Sequence, residues 1–164
     1  MIKKIKKLKL FIFDVDGVLT DGKLYYSPSG EELKVFNVKD GIGIWLLKKE
    51  GFKVVFLTGR RGDALKMRAK DLNIDLLKDN VKEKEKVIGE IIKKFGFQKE
   101  ETFFMTDDVI DLKACKFAGF VATPKDGAEE VKEIADYITS KKGGEGAVRE
   151  IIEIILKAMG KWNF

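Results

Sequence analysis

The sequence predicts an α/β protein: a three-layer sandwich in which helices cover both faces of a parallel sheet. Short apolar runs of strand length alternate with longer segments of helical periodicity, and the first run stops abruptly at a polar residue, as buried parallel strands do. The length of 164 residues, 45% of them hydrophobic, suits one domain. Because the chain has only two prolines and no low-complexity stretch, we expect a single domain over residues 1–164.

The first part of the chain supplies a strand, a hairpin and a helix. Residues 8–13 form the first strand, which ends at Asp14. Residues 23–36 predict an inserted β-hairpin around the turn Ser-Pro-Ser-Gly at 27–30. A helix is expected from Asp40, as its N-cap, to the glycine at position 51.

The rest of the chain continues the alternation of strands and helices. Further strands are predicted at 53–57, 74–77, 102–105 and 120–122, with an edge strand at 137–138. Further helices are predicted at 62–72, 84–95, 109–117, 128–135 and 147–159. In such a fold, ligands bind at the carboxyl ends of the strands, so the residues that follow each strand are the candidate site.

The composition excludes several kinds of chemistry. The chain has no histidine, which removes histidine general bases, Ser-His-Asp triads and histidine-ligated metal sites. The one cysteine, Cys115, cannot form an internal disulfide or a Cys-x-x-Cys site, so we expect a reducing compartment, the cytoplasm. Any reaction must therefore use Asp, Glu, Lys, Thr or a hard metal ion.

The charge pattern favours a small anionic substrate. The 32 basic and 27 acidic residues are intermixed and give a net charge of +5. All but four of the basic residues are lysine, which indicates a solvated, ion-paired surface, and we expect no nucleic-acid partner. The basic start of the chain lacks the features of an export signal, and the apolar runs are too short to span a bilayer, so we expect a soluble protein without a membrane partner.

Three acidic residues at strand ends predict a Mg²⁺ site. Asp14 and Asp16 follow the first strand at a spacing that points both carboxylates to one side, and Asp107 follows the strand at 102–105. A set of oxygen ligands alone matches Mg²⁺, which shares its coordination with phosphate. An isolated Asp-x-Asp-Gly could equally cap a turn, but polar residues at the other strand ends make that alternative weaker.

Two further strand-end residues could bind a phosphate. Thr58 offers a hydroxyl, and Gly59 after it lets a backbone N–H approach an anion. Lys84 lies at a helix start, where the helix dipole does not favour a cation, so an anionic partner would explain it. The competing interpretation of Lys84 is a solvated helix face, because it lies in an alternating Lys-Glu run at 82–86.

These residues together predict phosphoryl transfer. With no His, Ser or Cys nucleophile available, we expect Asp14 to attack phosphorus and form an aspartyl-phosphate. Asp16 would protonate the leaving alkoxide and then activate water. Since Asp16 can hold a proton only if its carboxyl stays off the metal, we expect it to ligate Mg²⁺ through its backbone oxygen.

The motifs resemble those of a known superfamily. Asp-Val-Asp-Gly-Val-Leu-Thr at 14–20, Thr58, Lys84 and Asp-Asp-x-x-Asp at 107–111 are similar, in order, to the four motifs of the haloacid dehalogenase-like phosphatases. Within that superfamily, the segment 30–41, Thr-Gly-Arg at 58–60 and the glycine-rich segment 143–150 resemble the family of phosphatases that act on 3-deoxy-D-manno-octulosonate 8-phosphate (KDO 8-phosphate). The similarity covers nearly the whole chain.

This resemblance implies a Rossmann-like, capless enzyme of lipopolysaccharide biosynthesis that hydrolyses KDO 8-phosphate and assembles as a homotetramer. The hairpin would join subunits and help to close a neighbouring active site, and the glycine-rich segment would reach across a subunit boundary. Mg²⁺ would be held by Asp14, the Asp16 carbonyl and Asp107. The implied substrate-binding residues are Asp16, Asn37, Val38, Lys39, Asp40, Gly41, Arg60, Arg68 and Lys84.

Three positions depart from the family pattern, and they leave other functions open. Thr106 stands where glycine is usual, while Glu145 and Trp45 occupy positions that are often basic. Fewer positive charges would weaken recognition of a sugar acid, so a related nine-carbon sugar-acid phosphate is an alternative substrate. Two alternatives from other classes are a phosphoacceptor receiver module without turnover and a non-catalytic module of the same fold.

Overall fold

The computed structural model describes residues 1–163 and contains two sheets. The strands, in chain order, are β1 Leu10–Phe13, β2 Tyr25–Tyr26, β3 Glu32–Leu33, β4 Lys53–Leu57, β5 Leu76–Lys78, β6 Thr102–Met105, β7 Phe120–Thr123 and β8 Tyr137–Ile138. Six of them form a parallel sheet in the order β5-β4-β1-β6-β7-β8, and β2 pairs with β3 as a separate antiparallel hairpin.

Seven α-helices in the described residues surround the sheet. They are α1 Ile2–Ile5, α2 Val38–Lys49, α3 Asp63–Asp71, α4 Lys84–Phe95, α5 Leu112–Cys115, α6 Glu129–Ile134 and α7 Ala147–Ala158. Among residues 1–163, no helix is both long and apolar enough to cross a bilayer. The predicted α/β sandwich is confirmed.

Side chains of β1 point alternately to two hydrophobic cores. Phe11 and Phe13 pack in the core that contains α2, α3 and α7, whereas Leu10 and Ile12 pack in the core with α4 and α5. All four residues are fully buried, as expected of a central parallel strand covered by helices on both faces. This burial fixes the carboxyl end of β1, and therefore the loop that begins at Asp14.

The strand order places a crevice beside β1. The chain proceeds from β1 outward to β4 and β5, then returns to the other side of β1 with β6. Such a reversal opens a binding crevice at the carboxyl ends of the two strands that flank it. Asp14 follows β1 and Asp107 lies two residues after β6, so both predicted metal ligands lie at this crevice.

The structure corrects two local predictions and adds one short helix. Asn37, not Asp40, is the N-cap of α2: its side chain accepts a hydrogen bond from the Lys39 N–H at 2.8 Å. The helix predicted at 109–117 is a 3₁₀ turn, Val109–Asp111, followed by the single turn of α5. The basic start of the chain forms α1, whose Ile5 is buried in the core.

Candidate active site

A cavity of about 270 Å³ lies at the carboxyl ends of β1, β4 and β6. Residues from the loops after these strands and from the start of α4 line it: Asp14, Asp16, Gly17, Gly22, Thr58, Gly59, Arg60, Lys84, Asp107, Asp108 and Ile110. The structure therefore brings together all five residues that the sequence singled out at strand ends. The cavity is smaller than most small-molecule sites, which suits a phosphate group better than a whole sugar phosphate.

Asp14 is a buried carboxylate held in a fixed orientation. One oxygen accepts a hydrogen bond from the Val15 N–H at 2.7 Å, and the other lies 2.8 Å from the Lys84 ammonium. Burial raises the pKa of Asp14 to about 7, although Lys84 acts in the opposite direction. A rigid carboxylate with unfavourable solvation is suited to attack on an electrophile.

Lys84 is buried at the start of α4, so it does not belong to a solvated helix face. Its ammonium lies 2.7 Å from Asp111 and 2.8 Å from Asp14. Burial alone would lower the pKa of Lys84, but the two carboxylates outweigh it and raise that pKa. Lys84 therefore stays charged beside the cavity, where it can bind an anion.

A hydrogen bond made by Thr106 accounts for the threonine at this position, where the family usually has glycine. Its buried hydroxyl donates to Asp111 at 2.6 Å, on the carboxylate oxygen that also contacts Lys84. Thr106 and Lys84 thus hold Asp111 from two sides. A glycine at 106 could not supply this hydrogen bond, so the threonine stiffens the support of Lys84.

Thr58 and Asp16 also line the cavity. The Thr58 side-chain oxygen accepts a hydrogen bond from the Arg60 N–H at 3.2 Å, and its hydroxyl lies 3.5 Å from one Asp16 oxygen. The other Asp16 oxygen contacts the Lys34 ammonium from the hairpin. The carboxyl group of Asp16 is thereby directed toward Thr58 and the hairpin.

Lys34 and Glu32 extend this arrangement along the hairpin. Lys34 also lies 3.0 Å from Glu32, whose second oxygen lies 2.5 Å from the Arg60 guanidinium. Hydrogen bonding by Arg60 and then Lys34 lowers the pKa of Glu32. Asp16, Lys34, Glu32 and Arg60 form a continuous chain of alternating charge, which we call the hairpin charge chain.

The acidic residues fit a hard cation in part. The carboxylates of Asp14 and Asp107 face the cavity, and burial raises the pKa of Asp107 to about 6. Because a side chain on Gly17, which has φ +80°, would lie 1.9 Å from an Asp107 oxygen, only glycine lets the loop approach this carboxylate. In the described part of the chain, no three acidic side chains are gathered around one metal position, so two carboxylates with the Asp16 backbone oxygen stay the predicted ligand set.

The glycine-rich segment packs against the loop that follows β1 in its own chain. The Gly144 N–H donates to the Val18 carbonyl at 3.0 Å, and a side chain on Gly143 would lie 1.8 Å from the Gly17 carbonyl oxygen. This segment was expected to reach across a subunit boundary. At Gly143 and Gly144 the segment contacts the loop that carries Asp14 and Asp16, and the contact with a second subunit stays a prediction.

Most of the residues implied to contact the sugar do not line the cavity. Arg60 and Lys84 line it, whereas Arg68 donates to the Asn37 carbonyl at 3.1 Å and lies over the Phe36 ring. Residues Val38 and Lys39 are exposed at the start of α2. Of the others, Asp16 lines the cavity, Gly41 and Asp40 are buried, and Asn37 is partly buried.

Asp40 is directed away from the cavity, into the start of α7. Its carboxylate accepts a hydrogen bond from the Arg149 N–H at 2.7 Å. Burial raises the pKa of Asp40 to about 6, although the N–H groups of Arg149 and Gly146 act in the opposite direction. The observed role of Asp40 is therefore to cap α7 from another helix.

Sequence reasoning missed Lys34 and Glu32. They lie in the predicted hairpin, and their alternation with apolar residues in the segment Glu-Leu-Lys-Val at 32–35 was the available signal. Asp111 was noticed within a motif, but no role was assigned to it. Its link to Lys84 joins positions 27 residues apart, and no local pattern encodes such a contact.

A second, larger cavity of about 670 Å³ lies at the opposite end of the sheet. Its lining comes from α1 and from residues that precede β6 and β7: Lys3, Lys4, Lys6, Lys7, Lys99, Glu100, Ala118 and Gly119. Flexible surface lysines dominate it, and it lacks converging polar groups that could bind a ligand specifically. We therefore assign the active site to the smaller cavity.

The fold and the site define a phosphohydrolase of the haloacid dehalogenase superfamily. An aspartate pair after the central strand, a threonine and a lysine at neighbouring positions, and an acidic loop after β6 surround one cavity. The chain belongs to the family of 3-deoxy-D-manno-octulosonate 8-phosphate phosphatases. Relatives and solved structures support this assignment over nearly the full length, although no protein-family profile matches the chain.

Sequence similarity to curated proteins is extensive. The phosphatase of this family from Haemophilus influenzae is 40% identical over 161 residues, which cover 98% of this chain and 89% of that protein. The phosphatase from Escherichia coli strain K12 is 35% identical over 161 residues, covering 98% and 86%. Both share far more of the chain than the site motifs alone.

Solved structures agree closely with this fold. The enzyme from Moraxella catarrhalis, crystallised with magnesium, phosphate and KDO, has a TM-score of 0.95 and 40% identity, covering 98% of this chain and 92% of that one. A cobalt-bound enzyme from Haemophilus influenzae has a TM-score of 0.93 and 40% identity, covering 96% and 92%. These neighbours are phosphatases, so the receiver alternative has no support among them.

Proposed function

We propose that this protein hydrolyses KDO 8-phosphate to KDO and inorganic phosphate in a Mg²⁺-dependent reaction. The observation that carries the proposal is the buried contact between Asp14 and Lys84 in a cavity shared with Asp16, Thr58 and Asp107. Each of these groups has a task in phosphoryl transfer. The similarity to phosphatases of this substrate then specifies the leaving group.

In the first step, an oxygen of Asp14 attacks phosphorus and the bond from phosphorus to the sugar oxygen breaks. Asp16, in its protonated form, gives its proton to the departing alkoxide, so KDO leaves with a hydroxyl group at that position. The orientation of Asp14, fixed by Val15 and Lys84, lowers the entropic cost of the attack. The product of this step is an aspartyl-phosphate at Asp14.

In the second step, water attacks the same phosphorus and the bond to Asp14 breaks. Asp16, now a carboxylate, takes the proton from that water. Its carboxyl points toward Thr58 and Lys34, and this direction keeps it off the metal. Phosphate leaves, and both aspartates return to their starting protonation states.

The ligands that would hold Mg²⁺ are the carboxylates of Asp14 and Asp107 and the backbone oxygen of Asp16. These are the hard oxygen donors that Mg²⁺ prefers, and their small number leaves room for water and phosphate. When bound, the ion supplies positive charge that offsets the charge of the phosphoryl oxygens. Burial raises the pKa values of Asp14 and Asp107, and a bound cation would stabilise their charged forms.

The phosphate and the sugar acid would be bound by different groups. Thr58 and Lys84 are the candidates for the phosphoryl oxygens, since both line the cavity. Because the cavity holds little more than a phosphate, the sugar acid would extend toward the hairpin and α2. There Arg60 and Arg68 are suited to its carboxylate, and the segment 37–41 is the remaining candidate contact.

A turnover panel tests the proposed substrate. Initial rates of phosphate release are measured with Mg²⁺ on KDO 8-phosphate, a nine-carbon sugar-acid phosphate and sugar phosphates that lack the carboxylate. We expect the highest kcat/KM with KDO 8-phosphate and loss of activity with a chelator. A higher kcat/KM on the nine-carbon compound would favour the alternative suggested by Trp45 and Glu145, and no turnover would contradict the proposal.

Assembly as a homotetramer in the cytoplasm is part of the proposal. Tyr26, Leu33 and Val35 expose apolar side chains on the hairpin, and such a cluster suits a subunit interface. Light scattering should give four chains for the wild-type protein and fewer for Leu33→Asp. The free, buried Cys115 fits a reducing compartment, where the enzyme would supply KDO for lipopolysaccharide.

A further inference from the structure

The hairpin has two different faces. Along residues 31–36, the side chains alternate between exposed and partly buried positions, as in any strand. Leu33 and Val35 point outward, whereas Glu32 and Lys34 point toward the cavity. The inward face therefore brings charged groups to the active site, although the hairpin lies outside the main sheet.

Lys34 is buried to an extent unusual for a lysine. Its side chain is only 4% exposed, and its ammonium contacts Asp16 and lies 3.0 Å from Glu32. Burial alone would lower the pKa of Lys34, but the hydrogen bonds to Asp16 and Glu32 outweigh it and raise that pKa. Because desolvation of an ammonium is unfavourable, a lysine buried in this way indicates a specific structural or functional role.

The contact with Asp16 supplies that reason. The Asp16 carboxyl is held by Lys34 on one oxygen and faces Thr58 at 3.5 Å on the other. Without Lys34, rotation of the side chain could bring the carboxyl toward Asp107 and the metal position, where it could not serve as acid or base. Glu32, itself anchored by Arg60, fixes the position of the Lys34 ammonium.

We propose that Lys34, supplied by the chain's own hairpin, is a positioning residue for Asp16 and acts with Glu32 to hold the Asp16 carboxyl over the leaving-group side of the cavity. This inference rests on the proposed function, because it assumes that Asp16 protonates the leaving alkoxide. It also gives the hairpin a catalytic task within its own chain, in addition to any contact between subunits.

The test compares two leaving groups in Lys34→Met. A sugar alkoxide needs a proton to leave, but 4-nitrophenolate does not, so in the first step, which kcat/KM reports, only the sugar phosphate depends on a well-placed Asp16. We expect kcat/KM to fall about 100-fold on the sugar phosphate and less than about threefold on 4-nitrophenyl phosphate. Asp16→Asn should show the same contrast, and Lys34→Arg should recover part of the lost activity.

Inhibition by free KDO separates positioning from substrate binding. If Lys34 acts through Asp16, the inhibition constant of KDO is unchanged in Lys34→Met. A weaker inhibition constant that accounts for the loss on the sugar phosphate would overturn the proposal, as would equal losses on the two substrates. Lys66→Met, at an exposed lysine on α3, is the matched control and should leave both rates unchanged.

Two precautions keep the outcome decisive. If Lys34→Met has a lowered unfolding midpoint, Glu32→Gln is tested in its place, because it removes one charge next to Lys34. Its kcat/KM should fall several-fold more on the sugar phosphate than on 4-nitrophenyl phosphate. The alkyl substrate is the sugar phosphate that the wild-type protein hydrolyses fastest. Absence of any wild-type turnover would overturn the proposed function, whereas equal losses in an active protein would overturn only the role of Lys34.

Discussion

The two walls of the active-site cavity differ in how they are built. On the sheet wall, Asp14, Lys84, Thr106 and Asp111 are almost fully buried and joined by contacts of 2.6–2.8 Å. The hairpin wall consists of two short strands beyond the sheet, with an exposed apolar outer face. The first wall is fixed by the protein core, and the second is held by the hairpin charge chain.

This difference indicates that the side chains of the sheet wall must be rigid, whereas those of the hairpin wall can adjust. The proposed nucleophile and the proposed phosphate-binding lysine must be placed before substrate arrives, and core packing supplies that order. The hairpin wall contacts Asp16, the proposed acid-base group, and its ionic contacts are partly open to solvent. We expect substitutions on the sheet wall to lower the rate of the chemical step, most of all at Asp14. Substitutions on the hairpin wall or farther from the cavity should change acid-base efficiency, substrate selection or stability.

The largest effect should come from Asp14→Asn. Removing the nucleophile should lower Mg²⁺-dependent hydrolysis by about 10⁴-fold or more, because no other group is placed to attack phosphorus. The unfolding midpoint should not fall, since Lys84 keeps its contact with Asp111. Initial rates and circular dichroism check both points, with Asp63→Asn as an exposed control; full activity in Asp14→Asn would refute the nucleophile assignment.

A smaller effect is expected when the support of Lys84 is weakened. Asp111→Asn removes one of the two carboxylates that contact Lys84. It should lower kcat/KM about 10- to 100-fold, as loss of a preorganised electrostatic group does. Thr106→Val deletes only the hydroxyl that holds Asp111 and should cost less. Steady-state kinetics on both variants measure this order, and the reverse order would show that Thr106 has a more direct role.

Asp40 should make stability depend on pH. Its folded pKa, about 6, lies above the ordinary value of 3.8, so the folded state holds the proton more tightly. Its contribution is complete below about pH 4 and is lost as pH rises through 6, by roughly 2–3 kcal/mol in the free energy of unfolding. Urea unfolding of wild type and Asp40→Asn across pH 4–7 measures this difference.

In Asp40→Asn the decline attributable to this carboxyl should be absent, while Asp63→Asn should follow the wild-type curve. Asp63 is the appropriate control because its side chain is 92% exposed. Parallel curves for wild type and Asp40→Asn would contradict the idea that burial against α7 raises the pKa of Asp40.

The smallest effect is expected at Arg68. Arg68→Ala should raise KM for KDO 8-phosphate about tenfold while leaving kcat and the hydrolysis of an aryl phosphate nearly unchanged. The reason is loss of a guanidinium suited to the sugar-acid carboxylate. Because Arg68 also donates to the Asn37 carbonyl, equal losses on both substrates would show that it acts only by joining α3 to α2.

The sheet wall could be predicted from sequence because its residues stand at strand ends. Apolar runs located β1, β4 and β6, and parallel strands bring their carboxyl ends to one edge, so Asp14, Thr58 and Asp107 converge without further information. Lys84 was assigned with them at the start of α4, and the structure buries it there. Periodicity and strand order were sufficient for these positions.

The hairpin wall could not be predicted in the same way. Which hairpin side chains face the site depends on how two short strands lie over the cavity, and no periodic pattern encodes that placement. Asp40 shows the same limit: its position near a helix start suggested an N-cap, but its carboxyl instead caps α7, over a hundred residues away. Contacts across the tertiary structure override local signals.

A crystal structure with Mg²⁺ and beryllium trifluoride tests the central claim most directly, because this anion mimics a phosphoryl group on a carboxylate. The account predicts beryllium bonded to an Asp14 oxygen, fluorines in contact with Thr58 and Lys84, and the ion between Asp14, Asp107 and the Asp16 carbonyl. Beryllium on another side chain, with Asp14 still paired only with Lys84, would contradict the account.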